Sequence, residues 1–160
     1  LRKELTMSTV ANSLDAEAAR GLSGLEQLRH FIASGKRPGI AVSLDFTLVE
    51  VEDGRAVFAG TPGLHTYSPL GMVHGGYAAT LLDSACGCAV HTRLSAAQTY
   101  STLELKVAFH KPLTTDTGLV RAEGRVVSLG RRVAFSEATL RDSEGRLYAS
   151  ATSTLLLMER

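Results

Sequence analysis

The run Val73-His74-Gly75-Gly76-Tyr77, with Asp83 seven residues beyond Gly76, holds the residue types and spacing in this sequence best suited to chemistry. Consecutive glycines let the main chain turn sharply and let a ligand approach it. The first-turn N–H groups of a helix have no partner inside the helix and sit at its positive end. A helix starting here presents amides that can hold the negative charge developing on a carbonyl oxygen. Asp83 is the only charged side chain in the small and apolar run from Ala78 to Val90, and a carboxylate in such surroundings needs a partner or a task. Seven helical residues turn about 700°, which returns Asp83 to the face carrying Gly76 but separates the two by about 10.5 Å along the axis. One chain cannot bring both to a single carbonyl. Two-fold pairing of antiparallel helices would set Gly75 of one subunit near Asp83 of the other, so a homodimer with two equivalent sites is expected.

The elements that position these residues are legible on either side. Ser13-Leu14-Asp15-Ala16-Glu17 has the form of a capped helix start, and Leu22, Leu25, Leu28 and Ile32 continue it until Ser34-Gly35 and Pro38. Residues 40–51, dense in β-branched and apolar types, and residues 55–60, beyond the turn Glu52-Asp53-Gly54, read as a hairpin. Residues 61–73, rich in proline and glycine, form a loop leading into His74. From Gly76 to about Arg93 apolar positions nearly surround the axis, as in a helix buried on most sides. Leu103, Leu105, Val107 and Phe109 then alternate with Glu104, Lys106, Ala108 and His110 in a half-buried strand. Residues 119–128, 132–141 and 146–157 complete a four-strand antiparallel meander. The fold class is α+β, one antiparallel sheet wrapped around a long central helix.

At 160 residues the chain is long enough for one core. Lys and Arg number 17 against 16 Asp and Glu, without blocks of like charge, so neither nucleic acid nor a membrane surface is expected as partner. No stretch reaches transmembrane length. Cys86 and Cys88 diverge by about 200° around a helix, which makes them neither a disulfide nor a metal pair. With no segment of signal-peptide character, a reducing cytoplasm is the expected compartment. His30, His65, His91 and His110 have no metal-ligand spacing, and no metal is expected. Residues 1–6 precede Met7 and are set aside as vector-derived or upstream sequence; residues 7–38 form an N-terminal helical segment and residues 39–160 a single domain.

Several runs together carry a resemblance. They are Ser68-Pro69-Leu70-Gly71-Met72-Val73-His74-Gly75-Gly76, the acid nine residues after the histidine, Thr102-Leu103-Glu104-Leu105-Lys106-Val107-Ala108-Phe109-His110-Lys111-Pro112, Gly124-Arg125, Gly130-Arg131-Arg132 and the stretch from Asp142 to Thr154. From about Ile40 to Leu157 the sequence resembles the hotdog-fold acyl-CoA thioesterases, in particular the branch with phenylacetyl-CoA and 4-hydroxybenzoyl-CoA thioesterases. The resemblance implies that Asp83 is the catalytic carboxylate, nucleophile or general base for water. It gives the Gly75 amide the task of polarising the thioester carbonyl, with Gly76 as helper and His74 shaping the loop. Thr102 matches a Ser or Thr that holds the attacking water in some members, and Ser101 matches that position less well. Ser68 stands where many relatives carry Asn or Gln on the substrate carbonyl or the water.

The same resemblance implies an acyl-CoA substrate with an aryl or medium-chain acyl group, no separate cofactor because coenzyme A is part of the substrate, and a homodimer that assembles into a homotetramer. Arg131 and Arg132 beside Gly130, backed by Lys111 and His110, are the candidates for the phosphates of coenzyme A. Leu82, Cys86, Tyr77 and Leu70 are candidate liners of an acyl channel. Two other readings use the same fold. A hydratase or dehydratase acting on enoyl or 3-hydroxyacyl thioesters would need His74 to face the substrate. A non-catalytic acyl-CoA binder would not need Asp83.

Overall fold

The structure, a computed structural model, describes residues 20–160. In chain order the elements are α1 (Gly24–Ser34), α2 (Gly39–Ser43), β1 (Phe46–Glu52), β2 (Arg55–Gly60), α3 (Gly75–His91), β3 (Gln98–Phe109), β4 (Val120–Leu129), β5 (Val133–Asp142) and β6 (Leu147–Glu159). The apolar run after His74 becomes α3, with Leu81, Leu82, Ala85, Cys86, Ala89 and Val90 fully buried. The six strands form one antiparallel sheet in the order β1-β2-β4-β5-β6-β3, which packs around α3. Small residues set the closeness of that packing. A Cβ on Gly124 of β4 would stand 2.2 Å from the Ala85 carbonyl oxygen of α3.

Three expectations change. The helix before residue 35 runs only from Gly24: Gly21 takes φ 83°, and Ser23 with Glu26 closes a capping box at the new start. The start read at Ser13 lies outside the described residues. The expected strand over 40–51 begins only at Phe46, because Pro38 opens the short helix α2 across Ile40, Ala41 and Val42. The four-strand meander is a three-strand one. β4, β5 and β6 are sequential neighbours, but β3 crosses to the far side and pairs with β6. This leaves β3, 12 residues long, as an edge with one side unpaired among the described residues.

Candidate active site

His74 is the N-cap of α3, and its Nδ1 accepts the Gly76 N–H at 2.8 Å. That bond consumes the Gly76 amide inside the turn. The Gly75 amide makes no hydrogen bond among the described residues and stands at the positive end of a 17-residue helix. Gly75 is therefore the free donor, and His74 shapes the turn. The His74 N–H donates to the Thr66 carbonyl at 2.8 Å and the Val73 N–H to the Leu113 carbonyl at 3.0 Å, which fixes the chain on either side of the turn. Above Gly75 lies the ring of Phe109, 2.9 Å from where a Cβ would be. Ser68 closes a turn of its own. Its Oγ accepts the Leu70 N–H at 3.3 Å, and its side chain borders neither of the cavities beside Gly75 and Asp83.

Asp83 is half-buried, and its Oδ1 accepts a hydrogen bond from Thr102 Oγ1 at 3.1 Å. Thr102 reaches it because of a β-bulge. Leu105 and Val107 face the helix opposite Ser153 and Ala151, and plain alternation would put Leu103 on that face too. The register slips between Thr102 and Glu104, so that Thr102 and Tyr100 instead lie opposite the buried Leu155 and Leu157. Leu103 is expelled and is 59% exposed. One extra residue thus exchanges an apolar side chain for the hydroxyl that meets the carboxylate.

The two halves of the expected chemistry occupy separate cavities of one chain. Asp83 and Thr102 border a cavity of about 540 Å³. His74 and Gly75 border another, of about 400 Å³, together with Phe109, His110 and Lys111. The His110 ring nitrogen Nε2 lies 2.9 Å from Ser150 Oγ. Arg131 and Arg132 are exposed in the β4–β5 turn, where the Arg132 carbonyl accepts the Leu157 N–H at 2.8 Å. Leu157 pairs with Tyr100, whereas His110 follows the opposite end of β3. The four residues expected to hold phosphate therefore form two groups about 33 Å apart along the sheet.

The four residues expected to line an acyl channel lie away from the Asp83 cavity. Leu82, Cys86 and Tyr77 are buried against the sheet and Leu70 is 82% exposed; none of them borders the Asp83 cavity. Its walls come from the N-terminal half instead: Leu28 and Phe31 of α1, Ile40 of α2, and Phe46 of β1. Along α3 the wall is Ser84, Cys88 and His91, spaced i, i+4, i+7. Burial pushes the Cys88 thiol up to about 12, with the Tyr100 hydroxyl against its sulfur. His91 is held down at about 4, by burial first and by the Arg160 charge second, and is neutral at pH 7. Its spacing from Ser84 was the available signal. It pointed nowhere without knowing that α1 and α2 fold over that stripe.

Among the described residues no cluster of His, Cys, Asp or Glu is arranged to hold a metal ion, and no helix is long and apolar enough to cross a membrane. Residues 70–149 match the Thioesterase superfamily. A candidate esterase of Saccharolobus solfataricus is 30% identical over 116 residues, 72% of this chain and 80% of that protein. The solved structure of a thioesterase family protein from Silicibacter pomeroyi superposes with a TM-score of 0.75 over 86% of this chain and all of that one, at 24% identity. A phenylacetic acid degradation-related thioesterase candidate from Ralstonia eutropha gives 0.71 at 27% identity, covering 81% of this chain and 97% of that one. With the wrapped sheet, the glycine helix start and the acid on the central helix in place, the chain belongs to the thioesterase superfamily and is a thioester hydrolase of the hotdog fold.

Proposed function

We propose that this protein hydrolyses an aryl- or medium-chain acyl-CoA to the free acid and coenzyme A, in sites shared between two subunits. The observation that carries the reading is the division of the reacting groups. Gly75 has a free amide but no carboxylate in its cavity, and Asp83, with its hydroxyl partner, borders a cavity that Gly75 does not reach. Antiparallel pairing of two β3 edges would bring each half beside the other. It would also set Arg131 and Arg132 of one subunit near His110 and Lys111 of the second, so that both phosphate-binding groups serve one coenzyme A.

In such a site the Gly75 N–H polarises the thioester carbonyl and stabilises the oxyanion, an effect worth about 3 kcal/mol in comparable donors. Asp83, held by Thr102, attacks the carbonyl carbon or takes the proton from the attacking water. The thiolate of coenzyme A then leaves, and on the first route water cleaves the acyl–Asp83 anhydride to release the free acid. A thiol-release screen across aryl, short, medium and long acyl-CoA thioesters tests this, with Asp83→Ala as control. Thiol release by the wild type and its loss in the variant are expected. Binding without turnover, unchanged by the substitution, would instead make the protein an acyl-CoA binder. Loss of enoyl absorbance without thiol would make it a hydratase.

A further inference from the structure

The far end of the Asp83 cavity is built around His91. Gln27, 1% exposed, donates from Nε2 to the Leu22 carbonyl at 2.8 Å, which turns its Oε1 toward His91 Nε2 at 3.0 Å. An amide oxygen only accepts, so the His91 proton resides on Nε2. Arg160 Nη2 donates to the same Oε1 at 3.3 Å and keeps the amide in this orientation. Gly24 closes the adjacent ring edge, since a Cβ there would lie 3.3 Å from His91 Cδ2. The Cδ2–Nε2 edge is thus covered by α1. Nδ1, on the other edge, is an acceptor with no hydrogen-bond partner among the described residues, in a ring that is 5% exposed and borders the cavity. Among the described residues the fully enclosed polar atoms without a partner are Tyr77 Oη and Ser136 Oγ, so Nδ1 is not sealed off and can accept a hydrogen bond from a donor in the cavity.

His91 follows Asp83 by eight residues on one helix, an axial distance of about 12 Å. Contacts of about 3 Å at each end leave about 6 Å between the reacting carbonyl carbon and the last atom of the acyl group. We propose that His91 is a specificity-determining residue whose Nδ1 accepts a hydrogen bond from a hydroxyl at the far end of the acyl group, about 6 Å from the thioester carbonyl. The inference rests on the thioesterase reading above and deepens it. The preferred substrates are hydroxy-terminated acyl thioesters, and Gln27 is the positioning residue that sets the tautomer.

The test is thiol release from matched coenzyme A thioesters: phenylacetyl, 4-hydroxyphenylacetyl and 4-methoxyphenylacetyl, and pentanoyl with 5-hydroxypentanoyl. In the wild type the hydroxylated member of each pair is expected to have the higher kcat/KM by about tenfold or more. The methoxy thioester, which keeps the oxygen but cannot donate, is expected to gain nothing over phenylacetyl. In His91→Leu both hydroxyl ratios are expected to fall to about one, a change that a purely structural role would not produce. Equal wild-type kcat/KM within each pair, a methoxy thioester as good as the hydroxyl, or ratios unmoved in His91→Leu would each overturn the assignment. Where His91→Leu does not fold, the wild-type ratios decide. Thiol release from other acyl-CoA thioesters but from none of these five would overturn this inference alone, whereas its absence across the whole acyl-CoA screen would take down the thioesterase reading as well.

Discussion

Asp83 and Thr102 are joined by one hydrogen bond, and their substitutions separate two contributions. Asp83→Asn keeps the shape and loses both the nucleophile and the base, so kcat is expected to fall by about a hundredfold or more while the circular dichroism spectrum stays unchanged. Thr102→Val removes only the hydroxyl and is expected to cost about tenfold, with Thr102→Ser recovering most of it. Equal losses in Val and Ser would show that the hydroxyl is not what matters. His91 makes a different prediction, on stability. Its imidazole is held at about 4 when folded, against an ordinary 6.5. Between those values the unfolded chain binds a proton that the folded chain refuses, so stability is full above about pH 6.5 and declines as pH falls toward 4. Below that pH this group causes no further loss, the total being on the order of 3 kcal/mol. Urea unfolding at pH 7, 5.5 and 4.5 is expected to show this decline, and His91→Leu to lack it.

At the scale of elements, the close approach of α3 to β4 rests on Gly124, whose added Cβ would meet the backbone of Ala85 and Cys86. Backbone cannot step aside as a side-chain tip can. Gly124→Ala is expected to destabilise the protein by about 2 kcal/mol or more, read as a lower urea midpoint, whereas Gly145→Ala, with open space around it, carries only the strain of its positive φ. What could be read from sequence divides along the same line. β2 and α3 were legible because their patterns are dense and bounded by Gly54 and His74, which act locally. α2 was not, since Ile40 and Val42 have strand propensity, which the start at Pro38 and the packing of the segment against β1 override. The bulge at Leu103 was equally hidden: period-two alternation assigns Leu103 inward, and the slip that admits Thr102 depends on pairing with β6. Gly75, Asp83 and Thr102 are candidates that motif and resemblance name, and the structure adds the Thr102–Asp83 hydrogen bond. The cavity that α1 and α2 close over Asp83, and His91 within it, depend on contacts between segments more than fifty residues apart, such as Gln27 with His91.

For the whole molecule, the question is whether a single chain is a complete catalyst. The long edge of β3, unpaired among the described residues and carrying the exposed Leu103 and Phe109, is a surface open to a second copy of the chain. Complementation between two inactive proteins gives a direct answer. Asp83→Ala removes the carboxylate. Gly75→Pro removes the amide hydrogen at the first position of α3, a position that suits proline because His74 already has the extended backbone that precedes it, provided that the exposed Phe109 ring, 2.9 Å from a Cβ at this position, swings aside. Each protein alone is expected to be inactive. Co-refolded in equal amounts, about half of the dimers pair one subunit of each kind, and one of the two sites in such a dimer combines an intact Gly75 with an intact Asp83. Activity should therefore return to about a quarter of the wild-type value. If each chain carried its own site, every site in the mixture would lack one group and no activity would return. A fully active monomer by sedimentation would refute the shared site as well.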